Sequence, residues 1–517
     1  MRRVILVSGG LLASAATLVI TALLWPLPEP APAGPAEALT IEHVAVVDIE
    51  NGTLLPDRTV LLRDGRIQSI APSAETRVAA DTRRLDGRGR FLIPGLWDMH
   101  THSTKLSPQL DHPLQVAHGV TSVRDMSGCL SEDDPYWACP HDRRQWDAQR
   151  RSRGRITPRH PLQSSYQTNG GNEVPADFPA HFRLATEADA AATVAFYRDQ
   201  GVDFIKTYTE LRPQQYAWLA HHALAQGLTI AGHQPVAVSL REALAAGQRS
   251  IEHGRLFLFE CFAGVAAWRA LPDPLAAYDA TMRGQLIAQR DEVACDAHRR
   301  AMARAGAWWV PTLTTLRMPL QAASAQGRTD PRLAEVPAVR RRLIWDPDAD
   351  RAAAEPPSAD GQSVHAKLYR LAQADVARAH SAGVRILVGT DTTDTFVFAG
   401  SSLHDELAML VDAGLSPAQA LRAATLSAAV FAGAENDHGT VAVGKVADLV
   451  MLDADPLTDI RHTRHISAVF LGGRHLDATR LNELRAFARE QAASWRVNLQ
   501  LAWQFMASPL MRQQIAD

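Results

Sequence analysis

Three features of this 517-residue chain predict an α/β protein built on a TIM-like (β/α)8 barrel, with a small β-sandwich domain beside it. Five apolar runs, FLIPGLWDMHTH (91–102), VDFIKTY (202–208), LTIAGH (228–233), SIEH (250–253) and RILVGTD (385–391), are short and rich in apolar and β-branched residues, as buried parallel strands are. Each holds His, Lys or Asp at or near its end, and strand C-terminal ends are where such barrels carry their sites. Helix-like intervals at 186–200, 212–226 and 239–247 precede short apolar runs, which is the alternation of a parallel barrel.

Along the chain, Arg2 and Arg3 precede a 22-residue apolar stretch from Val4 to Trp25, followed by PLPEPAPAGPAEA. Residues 1–38 therefore read as a signal peptide or an N-terminal membrane anchor with a Pro/Ala-rich linker, separate from the fold. Either form exports the rest of the chain, to the periplasm, the exterior or an anchored position outside the cytoplasm. The intervals 255–306 and 317–365 are longer than one helix needs, so each is a lid, a substrate wall or a solvent-facing elaboration. Residues 478–517 form a helical tail rich in Leu, Trp and Phe, packed on the barrel or on a second subunit of a homo-oligomer.

Hydrophobic residues make up 46% of the chain and charged residues 21%, enough for one barrel and a satellite domain. A formal charge of −3, with no basic stripe interleaved with aromatics, argues against a nucleic-acid partner. Four cysteines in an exported chain can pair as Cys129–Cys139 and Cys261–Cys295, or stay as buried thiols.

His100 and His102 are two positions apart in one strand, so both imidazoles face the same side and can meet one cation. With 20 histidines, about 0.8 His-x-His pairs arise by chance, so the ordered set carries the argument. Lys206 is one of only four lysines among 53 basic residues, and it sits inside an apolar strand. An unpaired ammonium there is costly, so its pKa falls or it is chemically changed. Only a neutral amine can add carbon dioxide, which arginine cannot do. An ion-paired or snorkelling lysine is the plainer alternative.

These residues, with GVTSVRD (119–125), AGHQP (231–235), SIEHG (250–254) and VGTD (388–391), resemble the amidohydrolase superfamily in motif and order, close to its imidazolonepropionase-like and prolidase-like branch. HGTVAVGKVADLVMLDADPLTDI (438–460) resembles the segment that closes the family's β-sandwich, and residues 39–72 resemble its earlier strands. The resemblance implies a composite sandwich of 39–92 and 437–477 around a barrel of 93–436. It implies two divalent metal ions, zinc by ligand type, with His100 and His102 on the buried ion and His233 and His253 on the exposed one. Lys206 would bridge them as a carbamate, and Asp391 would bind the buried ion and face the water. One departure is Asn169-Gly170-Gly171-Asn172, where many relatives carry Gly-Gly-His.

The implied reaction is hydrolysis of an amide or peptide-like C–N bond in a small molecule such as an N-acyl amino acid or dipeptide. A metal-bridging hydroxide would attack, with Asp391 as general base and then acid. Tyr208 either hydrogen-bonds the substrate carbonyl or packs. Arg255 and Arg317 either fork a substrate carboxylate or solvate the surface. His404 and Glu406 either support the ligands or form a helix N-terminal turn. Two alternatives remain: a cyclic amide or imide hydrolase or deaminase, and a non-catalytic scaffold of this fold at the membrane.

Overall fold

The computed structural model describes residues 21–23, 25–78, 82–171, 174–176, 178–357 and 360–516. The apolar stretch from Val4 to Trp25 falls almost wholly outside them. Among the described residues no helix is long and apolar enough to cross a membrane. In chain order the strands are β1 (Leu39–Asp48), β2 (Thr53–Arg63), β3 (Arg66–Pro72), β4 (Arg83–Asp86), β5 (Phe91–Pro94), β6 (Leu96–Thr101), β7 (Val120–Asp125) and β8 (Phe204–Thr207). They continue with β9 (Thr229–Gly232), β10 (Gln248–Glu252), β11 (Trp308–Val310), β12 (Arg385–Ile386), β13 (Leu449–Leu452), β14 (Ile466–Leu471) and β15 (Arg474–Asp477).

Strands from both ends of the chain join in one sheet, ordered β15-β14-β13-β5-β1-β2-β3, with β4 also paired to β1. By hydrogen bonding this is a single curled sheet rather than two separate leaves. Ile67 N donates to Lys445 O at 2.9 Å and Ala447 N to Gly65 O at 2.8 Å, which returns β3 to the chain just before β13. The curl encloses Ile41, Val44, Val60, Leu449 and Phe470, all buried. Sequence reading takes FLIPGLWDMHTH as one strand, but it is two. β5 pairs with β1 and β13, whereas β6 pairs with β7. Gly95 sits between them, where an added Cβ would lie 2.1 Å from Thr121 Oγ1, so no larger residue fits the crossing.

The remaining strands form a five-stranded sheet, β12-β11-β10-β9-β8, and a two-stranded one, β6-β7, every pair parallel. Neither regular sheet closes on itself. Single bridges connect their edges: Ser122 to Arg159, Ser164 to Phe204 and Thr168 to Thr207 through residues 159–168, and Thr101 to Thr392 on the other side. Two segments thus lack regular pairing, residues 157–162 and the predicted strand RILVGTD. Around residues 157–162, Pro158 and Pro161 remove ladder donors. In RILVGTD only Arg385–Ile386 is regular. Beyond it the backbone still bonds β6, Met99 N to Val388 O at 2.8 Å and Asp391 N to His100 O at 2.8 Å.

The intervening helices appear as Glu187–Asp199, Pro213–Ala225 and Leu240–Ala245. Thr186 with Asp189 and Ser239 with Glu242 close reciprocal caps on the first and third. Both cysteine pairs are bonded, Cys129–Cys139 and Cys261–Cys295. The C-terminal helices Ala478–Ala493 and Trp495–Ala507 bury Leu481, Leu484, Val497, Leu501 and Phe505, and the first packs against helix Asp111–Ala117.

Candidate active site

The predicted ligands come together at strand ends. His100, in β6, and His102, just past its end, point their Nε2 atoms at Asp391 Oδ1, at 3.3 and 2.7 Å. His233 follows β9 and His253 follows β10, and their Nε2 atoms lie 2.7 Å apart. His253 Nδ1 is 3.6 Å from Asp391 Oδ2. Lys206, in β8 and buried, shares their cavity of about 590 Å³ with His102, His233, His253 and Asp391.

Each side chain is oriented from behind. His100 Nδ1 donates to Glu252 Oε2 at 2.9 Å, and Glu252 is in turn gripped by Arg124 Nη2 at 2.8 Å and Ser250 Oγ at 2.6 Å. His102 Nδ1 shares a hydrogen bond with Ser127 Oγ. Thr209 Oγ1 and Thr312 Oγ1 each lie 2.8 Å from the Nδ1 of His233 and His253. Asp98 binds Thr390 through Oδ2 at 2.6 Å and accepts from the His100 amide at 3.2 Å, tying together the two segments that carry His100 and Asp391. His253 and Asp391 have φ of 73° and 69°, left-handed values unusual for residues with a Cβ. Backbone bonds from His253 N to Val310 O and from Asp391 N to His100 O hold them there.

The electrostatics suit cation ligands. Burial pushes the Lys206 ammonium down to about 8, against the opposing pull of Asp391, so a neutral amine is accessible near neutrality. Burial likewise holds His253 down to about 3 and His233 and His102 below their usual values, so these imidazoles are neutral. Burial works to raise the Asp391 carboxyl, but the facing His100, His102 and His253 hold it well below the usual range. His100 Nε2 is buried and makes no hydrogen bond, while the ligand atoms of His100, His253 and Asp391 all lie within 4.8 Å of one another. A buried donor set of imidazoles and a carboxylate, with one orphaned nitrogen aimed inward, fits a divalent cation.

The remaining candidates divide. Tyr208 lines the cavity with its ring 4.4 Å from that of His233, and Arg255 lines it too. Arg317 lies on helix Leu313–Ala322 and is not among the residues lining the cavity, whereas Arg351 is. His404 faces away, bonded to Thr463 Oγ1 at 2.9 Å and His118 O at 3.0 Å. Glu406 accepts from the amides of Leu313 and Thr314 at 2.8 and 2.9 Å, and so braces the turn whose Thr312 orients His253. Sequence reasoning passed over Glu252, Asp98 and Arg124. Their signal was a charge inside an apolar strand, in SIEH, LWDMH and GVTSVRD. The 255–306 insertion does wall the cavity, as one of its expected roles, but sequence reasoning did not single out its Phe259 and Trp268, nor Trp137 from the disulfide-bracketed loop.

Residues 367–476 match the sequence model of the Amidohydrolase family. An adenine deaminase of Ruegeria pomeroyi is 31% identical over 91 residues, 17% of this chain and 15% of that protein, so the match spans a small part of the relative. Among solved structures, a bottromycin amidohydrolase superposes with TM-score 0.66 at 24% identity, over 92% of this chain and 94% of that one. A Xaa-Pro dipeptidase with bound methionine superposes with TM-score 0.59 at 17% identity, over 85% and 100%. At these identities the structures show a shared fold.

Proposed function

We propose, from the premise that this chain belongs to the amidohydrolase superfamily, that it is an exported metal-dependent hydrolase of amide or peptide-like C–N bonds in small molecules. N-acyl amino acids and dipeptides are the substrate class. The observation that supports it most is the convergence of His102, His233, His253, Asp391 and Lys206 on one cavity, with His100 buried behind them 3.3 Å from Asp391. The sheets and their bridging bonds read as one irregular barrel over 93–436, with the outer sheet as its satellite.

Two divalent cations, zinc by donor type, would be held by His100, His102 and Asp391 on one side and His233 and His253 on the other, with carbamylated Lys206 between. Bound there, they would supply Lewis acidity toward the scissile carbonyl and easier ionisation of water. Asp391 takes the proton of the attacking water and hands it to the leaving nitrogen. Tyr208, on the cavity wall beside His233, offers a hydroxyl to the carbonyl, and Arg255 offers a guanidinium to a substrate carboxylate. Trp137, Phe259 and Trp268 exclude water around the acyl group.

Elemental analysis of full-length protein prepared without chelators tests this. About two metal equivalents are expected, with turnover of N-acyl amino acids, and the Lys206→Ala variant should lose both turnover and part of the metal. A Lys206→Ala variant that remained fully active would sink the bridging role. Cyclic amide hydrolysis or deamination is the second reading, favoured by the adenine deaminase match. Both predict activity on a ring substrate, and deamination also predicts one metal equivalent. Folded protein that takes up no metal would leave the non-catalytic scaffold.

A further inference from the structure

Helix Trp495–Ala507 is apolar on two opposite sides. One side is accounted for: Val497, Leu501 and Phe505 are buried in the core cluster that also takes Leu27. The other carries Trp495, Leu499, Trp503 and Met506, which at about 100° per residue fall within about 80° of arc. Trp495 is 59% exposed, Trp503 42% and Met506 66%. An apolar stripe on a helix normally faces an apolar surface.

The position of this stripe says what covers it. Of the eleven tryptophans in the chain, those exposed are Trp25, Trp495 and Trp503. Trp25, 66% exposed, is the last residue of the apolar stretch that begins at Val4. Its carbonyl accepts from Arg496 Nη2 at 2.6 Å, so the end of the apolar stretch lies beside the helix. Tryptophans concentrate at the membrane–water boundary, where an amphipathic ring suits a half-wet layer. Arg496 near one end of the stripe and Arg512, which donates to Met506 O at 2.6 Å, near the other can reach lipid headgroups.

We propose that the Trp495–Leu499–Trp503–Met506 face lies in the interfacial layer of a lipid bilayer and holds the catalytic domain against the membrane in a fixed orientation. This goes beyond the reading of residues 1–38 as membrane-targeting and rests on it for the position of the bilayer. A tether alone would leave the face in water.

The test uses the full chain in vesicles of phosphatidylethanolamine and phosphatidylglycerol. Met506→Cys is labelled with an environment-sensitive fluorophore, and Val293→Cys, 80% exposed on helix Glu292–Ala305, is the control. All four native cysteines are in disulfides, so the label is selective. Emission at position 506 should shift to the blue and be quenched by brominated lipid several-fold more than at position 293. A label that stays water-like while the protein floats with the vesicles overturns the docked face and leaves the tether standing. Protein that does not float overturns both. A blue shift that needs high protein concentration and resists brominated lipid means a second copy covers the stripe, which also overturns the proposal. As a second variant, Trp495→Phe/Trp503→Phe keeps the face apolar. It should lose part of the bromolipid quenching of intrinsic fluorescence, and unchanged quenching would count against the bilayer.

Discussion

The two halves of the candidate site are built by different means. On one side Lys206, His233 and His253 stand on or just past β8, β9 and β10, neighbours in a regular parallel sheet. Backbone ladders place them, and threonine hydroxyls trim the ring angles. On the other side His100, His102 and Asp391 stand where regular pairing gives out, and buried charge takes over. Asp98 clamps Thr390, Glu252 and Arg124 hold His100, and Arg143 grips Asp125, whose other bonds fix the amides of Ser103 and Ser127 around His102. A ladder distributes its hold over many weak bonds. A buried ion pair concentrates it in two side chains and fails abruptly when one is removed.

That contrast orders the expected effects. Asp391→Asn, at the heart of the charged side, should lower turnover about 10²- to 10⁴-fold while keeping much of the metal, as read by steady-state kinetics beside elemental analysis. A fully active variant would remove Asp391 from proton transfer. Glu252→Gln leaves Arg124 buried with half its partner and should destabilise the chain by about 3–5 kcal/mol in urea unfolding. Adding Arg124→Met should recover part of that loss, because neighbours in one network are not additive. Strict additivity would mean the pair does not act as a unit.

An acid effect of intermediate size concerns neither half. Burial holds His438 down to about 4 and His404 down to about 3, so both are neutral in the folded chain while the unfolded chain protonates near 6.5. Below that value the unfolded state binds more protons, and stability falls as pH drops toward the folded values. About 1 kcal/mol per histidine should be lost between about pH 6.5 and 5.5, visible as a lower Tm. A Tm flat across that window would contradict it. The smallest effect belongs to the ladder side. Gln248 bonds the carbonyls of Gly232 and His233 at 2.9 and 3.3 Å, and Gln248→Ala should cost only about 1 kcal/mol in the same urea assay. A loss as large as that of Glu252→Gln would erase the distinction.

The same division explains what was legible in the sequence. Ligands on apolar strands announced themselves, because a histidine or lysine closing a run such as LTIAGH or VDFIKTY stands out from its neighbours. RILVGTD reads as one ordinary strand, since period and composition do not reveal that irregular backbone contact with β6 replaces ladder pairing beyond Ile386. Glu252 was visible beside His253 but its partner Arg124 lies 128 positions away, and no spacing rule connects them. Of the two roles its position left open for His404, the fold favours the helix N-terminal turn, with the ring toward Thr463. Glu406, two residues on, acts through the backbone of Leu313 and Thr314, a contact set by helix docking alone.

The left-handed backbone at His253 and Asp391 bears on how the site should be probed. An alanine scan assumes that truncation removes a side chain and nothing else. At these two positions alanine also swaps a residue type that tolerates such a conformation for one that resists it, and a β-branched residue resists it more. Lost activity would then mix chemistry with backbone relaxation. Asparagine at 391 shares the tolerance of aspartate and removes only its charge, so it, and not alanine, is the informative control.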